Sequence, residues 1–129
     1  MILGIGHDIV YVPRFEGVLD MWGQRFLDRL FTAEELTYCR AMHKPARHYA
    51  ARFAAKEAFY KALSRGRQFP LGFLEAWVSH TVGKDLRLVL SPKALTLAEA
   101  AGVIGVHLSL SHDGDYASAF VVLESAAPR

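Results

Sequence analysis

Glu57 is the one carboxylate in a stretch that otherwise carries Arg40, Lys44, Arg47, Arg52, Lys56, Lys61, Arg65 and Arg67, so a formal net charge of +2 conceals a concentrated positive region. Positive charge gathered around one carboxylate suits a polyphosphate, with the carboxylate left to a metal ion that bridges phosphate oxygens. Asp8, in the run GIGHDI, is a second candidate, either as a metal ligand or as the cap of a following helix. The same run is not a nucleotide loop, because it lacks the third glycine and the Lys and Ser/Thr of such loops. Glu57 and Lys61 stand at i and i+4, the spacing of an ordinary solvated helix pair, although the alanines around them favour partial burial. In GVHLSLSH, the residues His107, Ser109 and Ser111 alternate with Val106, Leu108 and Leu110, giving a strand with one polar and one apolar face. A polar strand face otherwise simply meets water, and His112 beside Asp113, Gly114 and Asp115 suits a turn. No His or Cys pair has the spacing of a structural zinc site.

The elements that must position these groups follow from periodicity. Ile2 to Val10 alternates as a strand whose second face, with Gly4, Gly6 and Asp8, is kept small, so another element must approach it closely. Pro13 opens a helix to about Leu30, with Phe15, Val18, Leu19, Trp22, Phe26 and Leu30 on its apolar side and weak points at Gly17 and Gly23. Thr32 and Glu35 form a capping box for a short helix to about Met42. Pro45 opens a longer, alanine-rich helix to about Ser64, stopped by Gly66. Strands are expected at Phe73 to His80 and Leu86 to Leu90, a helix from Ser91 and Pro92 to Gly102, and a hairpin of Ile104 to Ser111 and Tyr116 to Leu123 turned at Asp113 and Gly114. This order predicts an α+β domain.

At 129 residues and 52% hydrophobic, the chain suits one core and is too small for two, so residues 1–129 are read as one domain. The lone Cys39 excludes an internal disulfide framework. The start of the chain lacks the pattern of a signal peptide and no apolar stretch reaches membrane-spanning length, so a cytoplasmic protein without membrane partners is expected.

Taken together, GIGHDIV, RFAAKEAFYKAL and HLSLSHDGDYASAFVV resemble, in order and spacing, the three motifs of the holo-acyl-carrier-protein synthase family, the small stand-alone 4'-phosphopantetheinyl transferases. The central pattern F-A-x-K-E-A-x-x-K-A is matched by Phe53, Ala54, Lys56, Glu57, Ala58, Lys61 and Ala62. The resemblance implies an antiparallel sheet packed against a long central helix, and a homotrimer with active sites between subunits. The implied reaction moves the phosphopantetheine arm of coenzyme A to a serine of an acyl carrier protein, releasing adenosine 3',5'-bisphosphate in support of fatty acid biosynthesis. Asp8 and Glu57 would bind Mg2+, and Lys61 would reach the α-phosphate or leaving group. The serine proton would go to Glu57 through a metal-held water or to a neighbour such as His107, which the resemblance also puts near the coenzyme. On charge, Lys44, Arg47, His48 and Arg52 suit the 3'-phosphate.

Two departures stand out. Tyr11 and Val12 occupy positions where many members carry an acid, and Ser64, Arg65 and Gly66 replace the usual Gly-Thr-Gly, which makes Arg65 a candidate phosphate contact. The resemblance also puts the acidic carrier on the first helix, at Arg14, Arg25 and Arg29 with Phe26 as an apolar contact, although Glu16, Asp20 and Asp28 dilute the field there. A nucleic-acid-binding module would use the basic stretch but not Asp8 and Glu57, and a catalytically silent descendant need not keep Asp8, Glu57 and Lys61 together.

Overall fold

In chain order the elements are β1 (Ile2–Tyr11), α1 (Val12–Leu30), α2 (Ala33–Arg40), α3 (Pro45–Ser64), β2 (Ala76–Ser79), β3 (Arg87–Leu90), α4 (Pro92–Ala100), β4 (Val103–Asp113) and β5 (Tyr116–Ser125). The computed structural model describes residues 1–65, 70–80 and 85–128. One antiparallel sheet has the order β1-β5-β4, and β2 and β3 pair antiparallel in a second. Antiparallel strands with helices against them make the expected α+β domain.

The approach foreseen at the small face of β1 is made by α3. A Cβ on Gly6 would overlap the carbonyl oxygen of Ala58, and one on Gly4 that of Ala62. Hydrogen in place of a side chain lets helix and strand backbones meet, and the alanines answer from the other side. Ala54, Ala55, Ala58 and Ala62 pack with Phe59, Ala119, Val121 and Leu123 as one buried cluster. Phe15, Leu30, Phe31, Leu36, Cys39 and Tyr49 form the second, between α1, α2 and α3.

The two parts are joined by a fully buried ion pair. Lys56 Nζ donates to Glu35 Oε1 at 2.7 Å, to the Phe73 carbonyl at 2.7 Å and to the Ala76 carbonyl at 2.8 Å. Glu35 also accepts from the backbone amides of Thr32 and Val78, each at 3.0 Å. The capping-box carboxylate read from sequence thus serves three elements. Burial pulls the Lys56 ammonium below its ordinary pKa, and Glu35 opposes that. β2 starts at Ala76 rather than at the expected Phe73, and the stretch before it is held by Lys56 at the Phe73 carbonyl and by the Tyr60 hydroxyl, which donates to the Gly72 carbonyl.

Three further expectations change. At the weak point expected at Gly23 the chain leaves helical geometry (φ 64°, ψ −149°), making α1 two pieces; what changes is Trp22, which at 64% exposure lies outside rather than on the apolar side. α3 ends on Arg65 in the left-handed region (φ 49°), while Gly66, the expected stop, lies outside the described residues. β4 runs on through His112 and Asp113, and Gly114 (φ 55°) makes the turn.

Candidate active site

Asp8 lies within β1 on the strand face turned to α3, and the cap position of α1 is Tyr11, so the capping alternative is excluded. The strand–helix contact at Gly6 brings Asp8 to Glu57 and Lys61. Lys61 Nζ sits 2.8 Å from Asp8 Oδ1 and 3.3 Å from the His7 carbonyl. Lys61 is therefore bound across to the strand rather than along its own helix to Glu57. Burial and then the Asp8 charge raise the Glu57 carboxyl above the ordinary carboxylate range, with Lys61 opposing. Both carboxylates line an open groove of about 380 Å³ with Tyr11, Arg14, Phe15, Val18 and Phe53.

Two carboxylates balanced by one ammonium carry excess negative charge, which a cation would relieve. Among the described residues no third His, Cys, Asp or Glu joins them. That donor set fits a hard ion that keeps water and phosphate oxygens as its remaining ligands.

The basic residues gather on another side of α3. Arg52 is five residues before Glu57, about 140° away around the helix. It is 2% exposed, with Nη2 2.9 Å from His80 Nε2, Nη1 donating to the His48 carbonyl at 3.4 Å and the guanidinium carbon 4.2 Å above the Tyr38 ring. Among the described residues its Nε is buried without a partner. Tyr38, His48, Arg52, His80, Ser111 and His112 line a pocket of about 240 Å³ closed by Ala51, Leu86 and Leu110. Arg47 reaches His112 Nδ1 at 3.4 Å and, with Lys44 at the start of α3, also lines a neighbouring cavity of about 490 Å³. Within one chain this set and the carboxylate pair thus line separate cavities.

His107 is also apart from Asp8. Pairing of Asp8 with Ala119 and of Ala119 with Leu110 sets these three on the α3 face, whereas His107 pairs with Val122 and so points to the opposite face. It lies 3.4 Å from Glu124 and is well exposed. Arg65 is exposed at the end of α3 beside Leu3 and Ala101. Arg14, Arg25 and Arg29 are exposed on α1, and Arg14 stacks over Tyr11 at 5.8 Å. Phe26 is half-buried with its ring against Phe15, so the exposed apolar groups of that helix are Met21 and Trp22 instead. Tyr38 and His80 escaped the sequence reading, since they meet Arg52 only through the packing of α2 and β2 on α3.

A strand-borne aspartate bonded to a helix-borne lysine, beside a helix-borne glutamate and with a basic pocket on another side of that helix, is an arrangement suited to phosphoryl groups. The chain belongs to the 4'-phosphopantetheinyl transferase superfamily, whose sequence model matches residues 4–121. Among its relatives, a holo-[acyl-carrier-protein] synthase of Trichlorobacter lovleyi is 46% identical over 129 residues, covering 97% of this chain and 99% of the relative. One from Syntrophotalea carbinolica is 46% identical over 94% of each. The fold matches the crystal structure of the Neisseria meningitidis synthase (TM-score 0.86, 36% identity, 97% and 100% covered) and that of the Helicobacter pylori synthase in complex with coenzyme A (TM-score 0.79, 30% identity, 93% and 99% covered).

Proposed function

We propose that this chain transfers the 4'-phosphopantetheine arm of coenzyme A to a serine of an apo-acyl carrier protein and releases adenosine 3',5'-bisphosphate. The observation that carries the reading is the convergence of Asp8, Glu57 and Lys61, in a chain whose near-full-length relatives are named for this activity. Family membership also favours this reading over a basic nucleic-acid-binding module.

Asp8 and Glu57 would hold Mg2+, which when bound neutralises the pyrophosphate and stabilises charge gathering on its oxygens. Lys61, half-exposed and anchored on Asp8, presents an ammonium suited to the α-phosphate or leaving group. Arg52 with His48, and Arg47 with Lys44, form the positive wall for the 3'-phosphate, and Arg65 adds a further positive group at the end of α3.

His107 points to the sheet face opposite the carboxylates, and the Arg52 pocket opens on another side of α3, so a coenzyme touching all of them is suited by a site shared between copies. The face opposite α3 supplies a contact surface: Ile5, Ile9, Phe120 and Tyr116 are each about half exposed there. That apolar sheet face supports a homotrimer with sites between subunits. Arg14, Arg25 and Arg29, with Met21 and Trp22, are the surface offered to an acidic carrier. No helix among the described residues is long and apolar enough to cross a membrane.

The test is incubation with coenzyme A, Mg2+ and apo-acyl carrier protein, reading the carrier's mass. A gain of one phosphopantetheine group, abolished by chelation, is expected; an unchanged carrier would overturn the reading.

A further inference from the structure

Arg52 and its imidazole neighbours form a charged arrangement with a defined proton inventory. We infer, on the reading that this pocket receives the 3'-phosphate of coenzyme A, that His80 and His48 take up a proton as that dianion arrives, so that coenzyme binding and protonation of the pocket are coupled.

The geometry dictates the state before binding. A guanidinium only donates, so the 2.9 Å contact from Arg52 Nη2 requires His80 Nε2 to accept, and the ring is then neutral with its proton on Nδ1. His80 is pinned there by stacking on Tyr38, with centroids 4.4 Å apart and planes 14° apart. His112 meets Arg47 in the same manner through Nδ1. His48 stands edge-on to Tyr38. Among the described residues, the buried Arg52 Nε has no hydrogen-bond partner, so the guanidinium keeps a donor unanswered there.

The groups facing these imidazoles are nearly all cationic or neutral. From α3 come Arg47 and Arg52, from β4 Ser111 and His112, from α2 Tyr38 and, acting on His80 alone, Glu34. Burial, then Arg52, hold both His48 and His80 below the usual histidine range, with Arg47 and His112 adding to it at His48 and Glu34 opposing at His80. A phosphate monoester dianion reverses the sign of that field. It offers an acceptor to Arg52, freeing His80 Nε2 to carry a proton and donate in turn. The complex then holds more protons than its separate parts, so affinity strengthens as pH falls from the alkaline side toward neutrality.

The inference is tested by calorimetric titration of the full chain with coenzyme A near neutral pH, in two buffers of different ionisation enthalpy. Uptake of about one proton per coenzyme bound is expected, with the dissociation constant falling up to about tenfold per pH unit. Dephospho-coenzyme A, which lacks the monoester, should bind more weakly and without uptake. His80→Gln with His48→Gln should lose most of the uptake and bind coenzyme A more weakly near neutral pH, and Arg52→Gln should lose both uptake and binding. Binding of coenzyme A without uptake, equal uptake with dephospho-coenzyme A, or uptake unchanged in the histidine variants overturns the coupling. Should those variants fail to fold, the comparison of the two coenzymes on the wild-type chain still decides. Failure of the coupling alone leaves carrier modification intact, whereas failure of the proposed activity appears as an unmodified carrier and no coenzyme binding.

Discussion

Lys61 holds one carboxylate and leaves the other short of positive charge. With the Glu57 pKa raised in the fold, the native state binds a proton more readily than the unfolded chain, so stability falls as pH rises from the ordinary carboxylate pKa through the raised one. Glu57→Gln should therefore melt higher than wild type at neutral pH without divalent cations, and the difference should close as pH falls through that window. The same variant, like Asp8→Asn, should lose about a hundred- to thousandfold in transfer rate with the fold retained, read by circular dichroism beside the carrier assay. His107→Ala separates the two proton acceptors: if His107 takes the serine proton, its loss lowers the transfer rate sharply, and if Glu57 does, the rate holds. Cys39 plays no such part. Burial pushes its thiol up to about 12, which makes it inert in the native state.

At the scale of elements, α3 is positioned from two sides, by Gly4 and Gly6 on β1 and by Lys56 on α2 and β2. A methyl at Gly6 meets a backbone carbonyl that cannot swing aside, so Gly6→Ala should cost about 3 kcal/mol in urea unfolding and should lower transfer by moving Asp8 from Lys61. Lys56→Met strands the buried Glu35 carboxylate and should cost about 3–5 kcal/mol, of which Glu35→Leu in the same chain should restore a large part. The periodic features were legible in the sequence: the small face around Asp8, the capping box of Thr32 and Glu35, and the start of α3 at Pro45 are all set by neighbours in the chain. What was not legible is set by distance. Gly23 was legible as a weak point, but nothing within a window around Trp22 reveals that its side chain turns outward there, nothing around Phe73 reveals the claim of Lys56 on its carbonyl, and Tyr38, Arg52 and His80 become a pocket only when three elements pack. Alternation put His107 on the polar face of β4, where the structure keeps it, whereas its place beside the coenzyme came from resemblance, and the register sets that face away from Asp8.

For the whole molecule, the uncovered face of the sheet sets the expectations. Phe120→Glu puts a charge in the middle of it and should give a monomer mass in light scattering, with the groove of Asp8 and Glu57 unchanged but little carrier modified. Arg25→Glu, on the exposed side of α1, should raise the KM for carrier and flatten its salt dependence while sparing the KM for coenzyme A. The divergence of Arg52 and Glu57 around one helix reaches further, into how damaged copies behave together. If every site draws its carboxylates from one subunit and its anion pocket from the next, a chain broken by Glu57→Gln and a chain broken by Arg52→Gln each spoil a different half. Unfolded together and refolded in equal amounts, two dead preparations should then recover about a quarter of wild-type activity, because random assembly pairs the two intact halves at that frequency. Complementation of this kind cannot arise from sites complete within one chain, in which every copy would carry its own defect.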